Sequence, residues 1–192
     1  MVGKSALVII DVINEIAHPD GKFPEVCLDY VQKAGLIPKV GEAVSRARNA
    51  ELQVIWVTLE FDGDYSNVPS YSQVFEEVSD RGALRAGSWG ASIVDELDPF
   101  PSELILSKST ISPFRSTELE SALRDFQVND VFLCGITTDM AILSTSRDCH
   151  DLGFSCTVLE DACGARDMKT HENALKCIGV CASISSLSEF NP

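Results

Sequence analysis

The chain has 192 residues, 45% of them apolar and 23% charged, a length and balance that fit one globular domain able to bury roughly 70% of its unfolded surface. Its longest apolar runs, Ala6 to Ile10 and Val54 to Val57, are far too short to cross a bilayer. A net charge of −14 opposes nucleic acid and anionic membrane as partners, since both reward clustered Lys and Arg, and leaves small molecules or protein surfaces.

Met1 to Ser5 carries one Lys and leads directly into Ala6 to Ile10, so the apolar stretch of a secretory signal is missing and a cytoplasmic location is expected. Ser5 to Asp11 reads as the first strand. Ile37 to Ala50 reads as a helix, with Pro38 tolerable in its first turn, and Gln53 to Thr58 as the second strand. Glu60 to Phe100 resists assignment: it is turn-rich from Phe61 to Pro69 and broken by Gly82, Gly87 and Gly90. A loop of that length in a compact domain is expected to border the site. Glu103 to Ser107 is the third strand, followed by a helix from Ser116 to Phe126 with Ser116 as N-cap and acids in its first turn. Val128 to Gly135, Phe154 to Leu159 and Gly179 to Ile184 are strands four to six, with helices expected over Thr138 to Leu152 and Thr170 to Cys177.

Apolar β-branched runs between amphipathic stretches predict an α/β fold: a three-layer, doubly wound parallel sheet with helices on both faces, in a single domain over residues 1–192. The seven cysteines are an odd number in a chain large enough to need no staples, and read as reduced, largely buried thiols. His18, His150 and His171 have no partner at a metal-ligand spacing, and core packing explains Cys177 and Cys181 better than a metal.

In open parallel sheets ligands bind beyond the carboxyl ends of strands, so polar residues that follow an apolar run come first. Asp11 ends the first strand with Asn14 one turn on, Lys108 follows Leu104-Ile105-Leu106, and strand four ends in Gly135-Ile136-Thr137-Thr138-Asp139. Taken singly these have ordinary readings as a turn cap, a solvated Lys and a helix start. A helix start there would offer free N–H groups to a developing oxyanion. Phe23, Phe61, Tyr65 and Trp89 lie in or near irregular segments, where an aromatic can wall a pocket or simply pack.

Together, Asp11-Val12-Ile13-Asn14, Ser107-Lys108-Ser109-Thr110-Ile111-Ser112-Pro113-Phe114 with Thr117, Gly135 to Ile142 through Thr145, Asp148, Leu152 and Gly153, and Glu160-Asp161-Ala162 resemble the successive blocks of the isochorismatase-like cysteine hydrolases. The resemblance runs from about residue 5 to 185 and implies a Rossmann-like, six-stranded, mainly parallel sheet of order 3-2-1-4-5-6, with its switch point between strands one and four. It implies a catalytic triad: Asp11 as acid/base, Lys108 beside it, and Ala141 at the position where the family carries its Cys nucleophile. It also implies a cis peptide at Ile136-Thr137 and oxyanion donors in the backbone N–H groups of Thr137 and Ala141. Asn14, Phe23, Glu60, Trp89 and Phe114 are the expected substrate contacts. The Asp-x-His metal pair of the nicotinamidase branch is replaced by Thr58-Leu59-Glu60-Phe61-Asp62, so neither a metal nor a cofactor is expected. A homo-oligomer, dimer or tetramer, is expected by analogy.

Ala141 has no attacking group, and neither Cys134, inside an apolar strand, nor Cys149, two helical turns on, replaces it. The chain is either a nucleophile-removed variant or a natural divergent member. The Gly-x-Thr-Thr-Asp-Met context resembles the Cys-using amidohydrolases more than the true isochorismatases. The reading is a metal-independent hydrolase of a small amide, carbamoyl or ureido compound that works by the Asp-Lys-Cys mechanism with the Cys position replaced. Two alternatives stand beside it: a Cys-independent, isochorismate-type vinyl ether hydrolase in which Asp11 protonates the enol ether directly, and a catalytically silent small-molecule-binding member.

Overall fold

The computed structural model describes residues 4–192. Strand β1 (Lys4–Ile10) is buried at every position from Ala6 to Ile10, as a strand with parallel neighbours on both sides and cover on both faces must be. A short helix α1 (Asn14–Ala17) follows, then α2 (Leu28–Ala34) and α3 (Leu36–Asn49), whose Val40, Ala43, Val44 and Ala47 form one buried stripe at helical spacing. The helix expected over 37–50 is α3, and Gly35 at φ 62° makes the left-handed turn that separates it from α2. Neither α1 nor α2 was legible in the sequence, since each is too short to show a period.

Beyond α3 come β2 (Gln53–Leu59), β3 (Leu104–Lys108), α4 (Leu119–Asp125), β4 (Val128–Ile136), α5 (Leu143–Asp151), β5 (Ser155–Gly164), α6 (Met168–Ile178) and β6 (Ser183–Ser185). All strand pairs are parallel and the sheet order is β3-β2-β1-β4-β5-β6, the expected 3-2-1-4-5-6. Helices flank the sheet: α3 packs on β1, β2 and β5, α4 on β4, and α5 on β5 and α6.

Four boundaries differ from expectation for local reasons. The fifth strand runs on to Gly164 because the register with β4 jumps from Leu133↔Val158 to Gly135↔Cys163, so the intervening Glu160 and Asp161 are absorbed in a bulge rather than ending the strand. The sixth is cut to three residues because the amides of Gly179, Cys181 and Ala182 still bond back to the end of α6. Ser116 is not an N-cap: its hydroxyl accepts from the Ser109 amide at 3.1 Å and pairs with Thr110 Oγ1 at 2.9 Å, and α4 starts three residues later. The helix expected over 138–152 divides into a π turn (Thr138–Ile142) and α5. The cysteines are all unpaired and five of the seven are buried.

Residues 60–100 form the long irregular cover, with one short 3-10 turn at Asp95–Leu97 and a buried lining that includes Phe61, Phe75, Val78 and Leu84. A buried carboxylate is one of its ties. Glu15 in α1 accepts from the Lys22 amide at 2.8 Å and from the Leu84 amide at 3.2 Å, while its own amide donates to the Gly90 carbonyl at 2.8 Å. Gly90 leaves room for this arrangement, because a Cβ there would displace the Glu15 carboxylate from these bonds. Substituting Glu15→Gln turns one acceptor into a donor facing an N–H. The expected cost is about 2 kcal/mol, read as a melting temperature lower by roughly 4–8 °C together with faster limited proteolysis inside residues 60–100.

Candidate active site

The carboxyl ends of β1, β3 and β4 meet at the point where the winding reverses. Ile10, the last residue of β1, pairs with Gly135 of β4, and the backbones approach so closely that a Cβ at Gly135, itself at φ 121°, would collide with the Ile10 carbonyl. The chain then leaves β1 through Asp11 at φ 54°, a left-handed conformation uncommon for a residue with a Cβ and concentrated at functional positions. The Asp11 amide donates to the Val57 carbonyl at 2.9 Å, which fixes the turn.

Lys108 closes β3, and β2 lies between it and β1. Two inter-strand steps separate the backbones by roughly 9–10 Å, a gap that the long Lys stem and the Asp11 side chain together bridge. The Lys108 ammonium stands 2.6 Å from Asp11 Oδ2, and both side chains are almost wholly buried. Asp11 Oδ1 is buried with no hydrogen-bond partner. Burial pushes the Asp11 carboxyl above the ordinary carboxylate range, with Lys108 pulling in the opposite direction without cancelling it. A carboxyl so poised, with one oxygen free, can take and return a proton during a reaction.

The third arm comes from β4. The Ile136-Thr137 peptide is cis, as the resemblance implied, and the π turn begins directly after it. Its pitch is set by the Ile142 amide donating five residues back to the Thr137 carbonyl at 3.1 Å, by Thr145 Oγ1 donating to the Ala141 carbonyl at 2.6 Å, and by a 2.8 Å bond between Thr138 Oγ1 and His171 Nδ1 of α6. Single π turns of this kind recur at functional sites because they re-aim one residue. Here that residue is Ala141, whose side chain borders a cavity shared with Asp11, Lys108, Ile136, Thr137 and Met140.

The cavity measures about 130 Å³. Phe23 and Val26, then Val74, Phe75, Val78 and Leu84 of the irregular cover, line it together with Ile16, Leu59 and Ile111. Of the residues expected in the site, Asp11, Lys108, Ile136, Thr137, Ala141 and Phe23 are brought together here. Asn14, Glu60, Trp89 and Phe114 lie outside the lining. The Asn14 side-chain amide is engaged at 2.9 Å with the Trp89 carbonyl, and Glu60 accepts from the Gly87 amide at 3.4 Å. The Trp89 ring is 48% exposed and set edge-on to His18, and Phe114 stacks on Phe154. Asn14 and Glu60 thus hold the cover in place, and apolar side chains from the cover line the site. Nothing in the sequence singled those apolar residues out, since they sit among turns without periodicity.

Residues 5–188 match the isochorismatase domain family. The chain belongs to the isochorismatase family. It is similar to the ureidoacrylate amidohydrolase RutB of Cronobacter turicensis, 31% identical over 171 residues that span 83% of this chain and 74% of the relative. Among solved structures it resembles an isochorismatase family protein from Desulfovibrio vulgaris, 25% identical with a TM-score of 0.85 over 97% of this chain and 95% of that one. It also resembles the N-carbamoylsarcosine amidase from Thermoplasma acidophilum, 25% identical with a TM-score of 0.77 over 98% and 99%. This isochorismatase-family chain is a hydrolase by that kinship.

Proposed function

We infer that the protein is a metal-independent hydrolase site for a small amide, carbamoyl or ureido compound, built for a thiol at position 141 and holding Ala there. The observation that carries this is the unpartnered Asp11 Oδ1, buried beside Lys108 in a cavity that Ala141 borders. A buried carboxylate oxygen is expected to have a donor, and a thiol at 141 would supply one. The ureidoacrylate amidohydrolase and N-carbamoylsarcosine amidase relatives, both acting on C–N bonds by name, support the same chemistry.

With a thiol present, Asp11 takes its proton and the thiolate attacks the carbonyl carbon, forming a C–S bond and an oxyanion that the Thr137 and residue-141 amides receive. The intermediate collapses by breaking C–N, and Asp11 gives its proton to the leaving amine. Water then adds, Asp11 again holding the proton, the C–S bond breaks and the thiol is restored. Lys108 keeps the ionised forms accessible throughout. The chain as it stands can bind and orient a substrate but cannot take the first covalent step. We infer a homo-oligomeric, cytoplasmic enzyme by kinship, with Asn14, Glu60 and Trp89 acting on substrate only through the cover they hold.

The Cys-independent reading finds support in the raised Asp11 pKa, which suits protonation of an enol ether. The two readings separate in one assay. Amide turnover by the Ala141→Cys protein, with no pyruvate released from isochorismate by the unaltered chain, supports the first; the reverse pattern supports the second.

A further inference from the structure

The charged groups of the cavity are already committed to one another. Among the described residues its lining holds one cation, Lys108, and one acid, Asp11, paired at 2.6 Å; the rest is apolar save Thr137. Arg81 stacks on the Phe23 ring at 4.5 Å but does not line the cavity, and its guanidinium is held by Glu25 and Glu77. A ligand carboxylate placed against Val26, Val78, Leu84 or Ile111 would therefore be desolvated with no counter-ion, which weakens its binding. An apolar group in the same place gains by burial. Size narrows the choice further, because about 130 Å³ is close to the roughly 150 Å³ cavity that accepts one benzene.

We propose that the substrate of this site is a small uncharged amide with a compact apolar acyl group, and that ureido and carbamoyl acids carrying a free carboxylate are excluded. The proposal rests on the hydrolytic reading of Asp11, Lys108 and position 141, and it sets this chain apart from a relative named for an anionic substrate, ureidoacrylate. Selectivity comes from what the irregular cover presents, Val74, Phe75, Val78 and Leu84, rather than from the reacting groups.

Isovaleramide and malonamate test it, since they match in shape and differ in an isopropyl group against a carboxylate. Binding is measured at neutral pH on the unaltered chain by NMR titration, so that no turnover is needed. The expected result is isovaleramide binding with shifts at Phe23 and Met140, and malonamate at least about 100-fold weaker. Val74 is 52% exposed at the cavity rim, so Val74→Arg can add a cation without burying it, and is expected to narrow that gap at least about tenfold. Equal or tighter binding of malonamate to the unaltered chain, a gap indifferent to Val74→Arg, or binding of neither ligand overturns the proposal. Preferential isovaleramide binding with no hydrolysis by Ala141→Cys would leave the selectivity standing and remove the hydrolytic reading beneath it.

Discussion

Substituting Ala141→Cys is expected to raise hydrolysis of a cognate amide by about 10³- to 10⁵-fold over the unaltered chain. Removing the nucleophile of a serine protease costs about 10⁶ in turnover, and the thiol enters a site whose Asp11 and Lys108 are already in contact and whose Asp11 Oδ1 lacks a donor. No existing thiol can take its place. Burial pushes Cys27 up to about 12 and holds Cys134 and Cys163 well above the ordinary thiol range, and none of the three lines the cavity. In the thiol-bearing protein Asp11→Asn is expected to return the rate to background, because an amide side chain cannot shuttle the proton. Steady-state release of ammonia from an amide and ureido panel checks both steps, and a folded Ala141→Cys protein inert across that panel contradicts the amidohydrolase reading.

Lys108→Met is expected to destabilise the fold by about 3–5 kcal/mol at pH 7, since it strands the Asp11 carboxylate in a buried site. For a chain of this size that is a melting temperature lower by roughly 6–20 °C. The sign of the pH dependence follows from Asp11. Its folded pKa is raised by burial against the pull of Lys108, and it rises further without that pull. A raised carboxyl favours the fold in its protonated form, so the variant is most stable below the unfolded value of about 4 and loses stability as pH climbs through the folded pKa. The deficit relative to the unaltered chain is therefore expected to shrink between pH 7 and pH 4. Pairing the change as Asp11→Asn with Lys108→Met should recover part of the loss at pH 7, because it removes the stranded charge. A Lys108→Met protein that melts normally, or with the same deficit at both pH values, would show that the pair is not buried as described.

The sheet was legible because β1, β2 and β4 each carry a short apolar, β-branched or aromatic run, the pattern expected of a strand buried on both faces. Asp11 and Lys108 stood out for the complementary reason: Asp11 directly follows the apolar run of β1, and Lys108 lies one residue beyond Leu104-Ile105-Leu106. What escaped reading depends on chain folding over long separations. Glu15 looks like any helical glutamate in sequence, and only the fold brings the Lys22 and Leu84 amides to it. Val74, Phe75, Val78 and Leu84 become a wall because tethers at Asn14, Glu15 and Lys22 pull the cover over the switch point. The five extra residues of β5 were hidden because a bulge lets Glu160 and Asp161 stay in the strand that their polarity seems to end.

The proposed chemistry requires position 141 to face the Asp11 and Lys108 pair, and the reactivity of a thiol placed there tests that without knowledge of the substrate. Iodoacetamide, itself a small uncharged amide, is applied at neutral pH to the Ala141→Cys protein, with each modified site located and timed by mass spectrometry. The expected result is modification at position 141 at least about tenfold faster than at the exposed Cys177, slowed about tenfold or more when Lys108→Met removes the cation that favours the thiolate. A thiol at 141 that reacts no faster than Cys177, or that is indifferent to Lys108, would contradict the account.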